Sequence, residues 1–562
     1  MGLSLYELSS GNPWFYFFPL FLGLVGLWSL VVRSLAKENA PSGIDSYGVF
    51  FAVGFVTLLW ARWPSFLPLE FNPDESQVVV GARLLEHNPT PFIGADGTTQ
   101  GPLLYYLSLA PSLPMEGSLD YPLLRLEGLG AVCLTYLFLF LSLRPRAGDF
   151  VAKVVTAILF TIEALATNSG LVSYSTEQVP MVFIFAMVWL FSCGDPADSR
   201  RAYLGGLAAG AIPYLKLQFV PVAAFILLFW GTWTWKRGRW RSLGFAALGL
   251  LTVPLLFTGW ILASGAWNDF WQRYIVANLA HAEHPRIYRG TDLIFPDTYP
   301  LIDRIAYSAD ILLLKEVELR SFFWAAGFSM LALGGLLIRG KSAVRAVPAA
   351  LGLLLSCLYI VVLPGHAYDH YSRALLAPCM LLIGLMLGGL PARRQKVLCG
   401  FLVALMLVPW LGERAALSKS HPFALVPEVL IEQSTEWPKP LIHSGVKKLR
   451  PFVESGQRIA VWGWLPRLYV GTQTLPATRD IICERMLEPR YDLSYFRRDY
   501  LRELKQSQPP VIVDATRAFL YKDRALFGLD SFPELKEYVE KNYKEVFRDE
   551  KLTIYERVAP LS

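Results

Sequence analysis

Val49-Phe-Phe-Ala-Val-Gly-Phe-Val-Thr-Leu-Leu-Trp-Ala-Arg-Trp63 leads, over a short connection, into Phe71-Asn-Pro-Asp-Glu-Ser76. The first stretch reads as a membrane span over 47–63, and the second sets two acids, Asp74 and Glu75, at its mouth. Carboxylates beside a membrane helix are costly to place and point to function. On the outer face of a cell, where nucleotide sugars and ATP are absent, chemistry at this pair must use a substrate that the membrane itself delivers.

The rest of the chain supports that setting. Of 562 residues 54% are hydrophobic and only 17% are charged. With repeated apolar runs of about 20 residues, this predicts a polytopic α-helical membrane protein. Spans are expected near 14–33, 47–63, 122–143, 150–167, 178–193, 202–214, 219–234, 242–264, 321–339, 346–363, 372–390 and 397–411, about twelve in all. No Lys or Arg occurs from Met1 to Pro13, so no cleavable signal peptide is expected. Five of the six cysteines, all but Cys483, fall in or beside apolar runs, and no C-x-x-C occurs. That argues against a disulfide framework or a thiolate metal site.

Basic residues set the orientation. Arg33 and Lys37, Arg144 to Lys153, Arg200 and Arg201, Lys236 to Arg241, Lys341 and Arg345, and Arg393 to Lys396 all fall on one side of an alternating bundle. By the positive-inside rule that side is the cytoplasm, and the net charge of +6 reflects topology rather than nucleic-acid binding. The scheme requires Gly101 to Leu113 to lie at the interface, because this apolar stretch is too short to span. The outer face then receives 64–121, 265–320 and the tail. The tail, 421–562, reads as an α/β layer domain. Its strand-like runs are Arg458–Trp464, Pro510–Asp514 and Leu552–Glu556, and its helical patterns are Tyr495–Gln506 and Phe532–Arg548.

Several polar groups could carry chemistry. Asp74 and Glu75 suit general-base work, one reacting and one orienting, yet Pro73-Asp74-Glu75 is equally good first-turn chemistry for a helix. The pair could also bridge a divalent cation such as Mg or Mn. Gln100, before the Gly101-Pro102 helix start, could hydrogen-bond a substrate. Lys216 is the sole charge between Tyr203 and Trp235 and either snorkels to headgroups or binds a lipid phosphate. His366-Ala-Tyr-Asp-His-Tyr-Ser-Arg373 opens a late span, and Arg373 would enter hydrocarbon alone unless it meets a ligand or a partner. His281 and His284 have helical ligand spacing but no third ligand nearby, so the 265–320 loop reads as a cap.

The order of these pieces resembles the GT-C glycosyltransferases: an acid pair after an early span, a Gly101-Pro-Leu-Leu-Tyr105 helix, a span-end Lys, a His/Tyr/Arg entry and an outward α/β tail. The layout is most similar to the branch of protein mannosyltransferases and aminoarabinose transferases, glycosyltransferase families 39 and 83. Val461-Trp-Gly-Trp464 and Pro476-Ala-Thr-Arg479 look like the tail of bacterial members. The resemblance implies an added helix in 1–45, a transmembrane catalytic domain in 46–412 with outer loops 64–121 and 265–320, and an extracytoplasmic domain in 421–562. It implies a polyprenyl-phosphate-linked sugar as donor and a glycan, lipid or protein hydroxyl as acceptor at the outer face of the inner membrane. Asp74 would be the base, with Lys216, Arg373 and His370 holding the leaving phosphate. One departure stands out. Related transferases place Glu-Lys or His before a Pro-Pro-Leu helix, where this chain has the neutral Gln100. The Trp-Trp-Asp-Tyr-Gly signature of oligosaccharyltransferases is absent, which disfavours en bloc glycan transfer to Asn.

The alternative is a transporter or lipid flippase. That class predicts paired inverted halves with broken helices at the midplane. Here the ionisable residues gather at one face, and no second copy of the acid loop occurs.

Overall fold

The computed structural model describes residues 13–36, 44–113, 119–193, 195, 198–284, 287–289, 292–296, 299–315, 319–337, 346–365, 368–420, 444–518 and 524–558. Lys37, Arg286, Lys341, Arg345, His366 and the start of the tail at 421–443 lie outside the described residues. The chain divides into two compact units. One comprises Met1–Leu67, Arg125–Leu256 and Leu301–Trp437; the other comprises Pro68–Leu124, Phe257–Pro300 and Pro438–Ser562.

The first unit is helical. Its helices include Pro13–Ala36, Ile44–Arg62, Gln178–Ser192, Ser199–Leu215, Val220–Trp235, Arg320–Leu337, Val347–Val362, Asp369–Gly388 and Ala392–Ser420, which coincide with stretches whose hydropathy predicted spans. Among the described residues, Tyr47–Ser65, Tyr121–Leu165, Leu217–Trp235, Trp240–Ala263 and His370–Gly388 are long and apolar enough to cross a membrane. Leu248, Leu251 and Leu255 are each more than half exposed. Apolar side chains on a helix exterior suit a hydrocarbon solvent.

The Tyr121–Leu165 helix runs for 45 residues, about 68 Å at 1.5 Å per residue. That is twice a bilayer's hydrocarbon thickness, so it must bend. It breaks at Gly148, whose φ of 81° lies where only glycine is unstrained. Phe140 and Phe160, placed before and after the break, both pack against Phe50, with centroids 6.2 and 6.3 Å away. The two arms therefore fold back on one another, and they coincide with the apolar stretches at 122–143 and 150–167. Elsewhere small residues set the packing. A Cβ on Gly206 would sit 2.1 Å from the Ala246 carbonyl oxygen, and one on Gly210 would sit 2.3 Å from that of Leu250. The Ser199–Leu215 and Trp240–Ala263 helices thus meet backbone to backbone, as small-x-x-x-small faces do in membranes.

The second unit is α/β. The antiparallel pair β1 (Ile287–Arg289) and β2 (Asp292–Ile294) precedes a five-stranded sheet. The sheet strands are β3 (Arg458–Trp462), β4 (Leu475–Pro476), β5 (Val511–Asp514), β6 (Tyr543–Arg548) and β7 (Thr553–Arg557), ordered β4-β3-β5-β7-β6. β3 is parallel to β4 and β5, while β7 runs antiparallel to β5 and β6. All four β5 residues are buried, Val511–Val513 as the apolar run of a central strand predicts, with Asp514 closing it. Trp462 is fully buried, 5.4 Å from the Tyr500 ring, and its indole donates to the Phe527 carbonyl.

One expected element needs correction. The helix predicted over Phe532–Arg548 stops at Asn542, and Tyr543–Arg548 is strand β6. Cross-strand pairing with β7 outweighs the helical pattern there, and the Tyr543 hydroxyl pins the strand start to the Pro509 carbonyl at 2.8 Å. The Pro102–Leu109 helix has eight residues, about 12 Å, too short to span.

Candidate functional site

The acid turn belongs to the second unit. Asn72 caps the Pro73–His87 helix: its side chain accepts from the Asp74 N–H at 3.0 Å, and Pro73 presets the first turn. The fully buried Glu75 carboxylate completes the capping box by accepting from the backbone N–H groups of Phe71 (2.9 Å) and Asn72 (3.4 Å). Glu70 is buried as well, bonded to the Ser76 hydroxyl and paired with Arg467 at 2.9 Å. Asp74 differs: it is half-buried, and its Oδ1 accepts from the Gln77 amide at 3.2 Å. The neighbouring carboxylates therefore diverge, one aimed into its own turn and one toward the surface.

Gln100 is turned inward. It is 3% exposed, and its Oε1 accepts from the Tyr105 hydroxyl at 2.5 Å. Burial raises the Tyr105 phenol well above its ordinary range, and the negative charges of Asp96 and Asp74 add to this. Tyr105 thus bonds Gln100 while lying within the field of Asp74. Among the described residues no three His, Cys, Asp or Glu side chains gather as metal ligands. A cation bridged by Asp74 and Glu75 does not fit, because Glu75 is committed to backbone N–H groups.

Behind this surface lies a buried ion cluster. Arg273, with no exposed surface, reaches Asp96 at 2.7 Å, Asp480 at 2.8 Å, and Asp499. Arg485 forks onto Asp96 at 2.5 and 2.7 Å and donates to the Thr98 carbonyl at 2.6 Å. Arg479 pairs with Asp269 at 3.0 Å and Glu503 at 2.5 Å. Burial alone would raise the Asp96 carboxyl, but the charges of Arg485 and Arg273 hold it below the usual range. Asp480 is pushed up to about 6 by burial, with Arg273 opposing the shift and Asp96 adding to it. The cluster ties together three stretches distant in sequence: the 68–124 loop, the 257–300 loop and the tail.

The cations singled out from sequence lie in the first unit, and two of them have carboxylate partners. Lys216 is buried, bonded to the Thr176 hydroxyl at 2.7 Å and to Glu177, with its ammonium 5.3 Å over the Tyr371 ring. The snorkelling alternative is therefore excluded. Burial alone would raise the Glu177 carboxyl; Lys216 and His370 hold it below the usual range. His370 stacks on Tyr368 at 5.5 Å and meets the Tyr371 ring edge-on at 4.7 Å. Arg373 grips both oxygens of Glu163, at 3.0 and 3.1 Å, and Arg62 reaches the same carboxylate at 3.2 Å. Tyr136 adds a hydroxyl at 3.1 Å. Arg62, Arg125, Arg373 and Glu163 line a cavity of about 20 Å³, room for about one water.

Lys216 and the 368–373 segment therefore come together in the first unit, while Asp74 and Gln100 both belong to the second. Glu163, Glu177, Arg62 and Arg125 were not singled out from the sequence. Glu163 carried a signal, being an acid inside an apolar span.

No protein-family profile matches the chain, and no curated protein matches it. Solved structures do. Two crystal structures of ArnT from Cupriavidus metallidurans, one bound to undecaprenyl phosphate and one in the apo state, each align with a TM-score of 0.52 at 14% identity, over 92% of this chain and 99% of theirs. The apo oligosaccharyltransferase of Archaeoglobus fulgidus aligns more loosely, with a TM-score of 0.44 at 11% identity over 90% of this chain and 74% of its own. The chain has the fold of the GT-C membrane glycosyltransferases. That is the fold expected from the resemblance to the aminoarabinose transferase branch.

Proposed function

We propose that this chain is a membrane glycosyltransferase. It moves a sugar from a polyprenyl-phosphate donor to an acceptor hydroxyl on the extracytoplasmic face of the inner membrane, with inversion. The observation that carries this reading is the fold, shared over 92% of the chain with a protein crystallised with undecaprenyl phosphate. The acid turn supports it, because a half-buried carboxylate at the start of a rigid, capped helix is what a positioned base requires.

In this mechanism Asp74 takes the proton of the acceptor hydroxyl as that oxygen attacks the anomeric carbon. The new C–O bond forms opposite the departing phosphate oxygen. The old bond's electron pair leaves with the polyprenyl phosphate, and the configuration inverts. Glu75 orients the turn rather than reacting. Lys216 and Arg373, with His370 assisting, counter the charge of the leaving phosphate. Their carboxylate partners, Glu177 and Glu163, hold them in place between turnovers. Phosphate leaves readily once its charge is met, so positioning and electrostatics supply most of the acceleration. The acceptor is a glycan, lipid or protein hydroxyl.

The test uses protein in nanodiscs with a panel of polyprenyl-phosphate sugars, following free polyprenyl phosphate by mass spectrometry. Wild type should release it from one donor, and Asp74→Asn should slow release by about 10²- to 10⁴-fold while retaining lipid binding. Equal release from both proteins would remove Asp74 as base. No release from any donor would remove the transferase reading for that panel.

A further inference from the structure

A second cavity of the first unit, about 490 Å³, is separate from the Glu163 cavity. Its volume lies within the range of about 300 to 1,000 Å³ found for ligand pockets. Its lining is rich in aromatics: Phe191 stacks on Trp230 with centroids 4.3 Å apart, and Phe229, 44% exposed, lines it as well. Ala346, Ala349 and Ala350 also line it, and their small side chains leave space open. These apolar side chains suit hydrocarbon.

Two guanidinium groups complete it. Arg146 precedes the Gly148 break and donates to the carbonyls of Ser192 and Ser142, the latter at 3.3 Å. Arg237 lies 3.9 Å over the Trp233 ring. Both are exposed. Three neighbouring cations have carboxylate partners: Arg144 with Asp149, Arg201 with Asp198, and Arg239 with Asp195. Among the described residues no ion pair joins Arg146 or Arg237 to a carboxylate, so the two charges at the cavity rim are left for something else.

We propose that this cavity binds one acyl chain of an anionic phospholipid, whose phosphate is held by Arg146 and Arg237. Charge complementarity favours an anionic head over a zwitterionic one, and guanidinium forks match phosphate oxygens. The flanking loops carry the basic residues that assign this end of the bundle to the cytoplasm, where the leaflet is rich in anionic phospholipid. A polyprenyl chain would have to leave most of its length outside. The site is independent of the transferase reading, because none of the residues assigned to catalysis lines it.

Native mass spectrometry of the delipidated full chain, with equimolar phosphatidylglycerol and phosphatidylcholine, tests this. Wild type should retain one phosphatidylglycerol with at least tenfold preference. The Arg146→Gln, Arg237→Gln double variant should lose the preference. Ala349→Phe, which projects a ring into the cavity, should weaken lipid retention with an unchanged unfolding midpoint. Should Ala349→Phe fail to fold, the double variant on the exposed rim decides alone. Absence of bound phosphatidylglycerol in wild type, or unchanged preference in the double variant, would overturn the proposal. So would displacement of phosphatidylglycerol by equimolar undecaprenyl phosphate, which would assign the cavity to donor lipid.

Discussion

Asp74 and Glu75 share a peptide bond and almost nothing else. Glu75 accepts from two backbone N–H groups in a turn that excludes water, so removing it leaves the Phe71 donor buried and unmatched. Glu75→Ala should therefore lower unfolding stability by about 1–3 kcal/mol, read by denaturant titration, while Glu75→Gln keeps an acceptor and most of the stability. Asp74→Asn retains the oxygen that accepts from Gln77, so it should leave stability within about 0.5 kcal/mol of wild type. The capping box was legible, since Asn72 lies three residues before Glu75 and Pro73 follows it. Which acid turned outward was not, because the two share the same local context. The partners of Lys216 and Arg373 were equally illegible: Glu177 lies 39 residues away and Glu163 lies 210 away.

At the scale of elements, the helices followed from hydropathy and the break in the Tyr121–Leu165 helix from Gly148. The cluster around Arg273 followed from neither. Arg273 sits in a short π-helical stretch, Phe270–Val276, and holds carboxylates from the Gly94–Gly97 turn, the Leu493–Ser507 helix and the chain beside β4. Breaking a buried ionic network by removing one partner strands the others. Arg273→Met should cost about 3–5 kcal/mol, measured as a shift in the unfolding of the second unit. Arg273→Lys should recover only part of this, because a single ammonium cannot reproduce the guanidinium fork. The β6 strand shows the limit from the other side: a helical pattern over Phe532–Arg548 gave way once β7 offered a partner.

For the whole molecule, two acids on one guanidinium set a pH dependence. Asp480, with its folded value raised to about 6, binds its proton more tightly in the native state than in the unfolded chain. It contributes stability that is present below the ordinary carboxylate range and lost as pH rises through about 6. Asp96, held low, contributes in the opposite sense: its stability is present above the ordinary range and lost on acidification. Asp480→Asn should therefore remove the fall in melting temperature between about pH 4 and pH 7, a difference on the order of 2 kcal/mol relative to wild type. Thermal scans of both proteins across that window check it, and an unchanged slope in the variant would rule out Asp480 as the titrating group. Hydropathy adds up along the chain without reference to distant partners, so the sequence by itself determined the apolar helices and the runs that became β3, β5 and β7. Only the tertiary structure decided which carboxylates meet which cations, and that the 68–124 and 257–300 loops join the tail in one unit. Those pairings form between residues far apart in the chain, where burial makes each charge choose a partner that no local pattern can name.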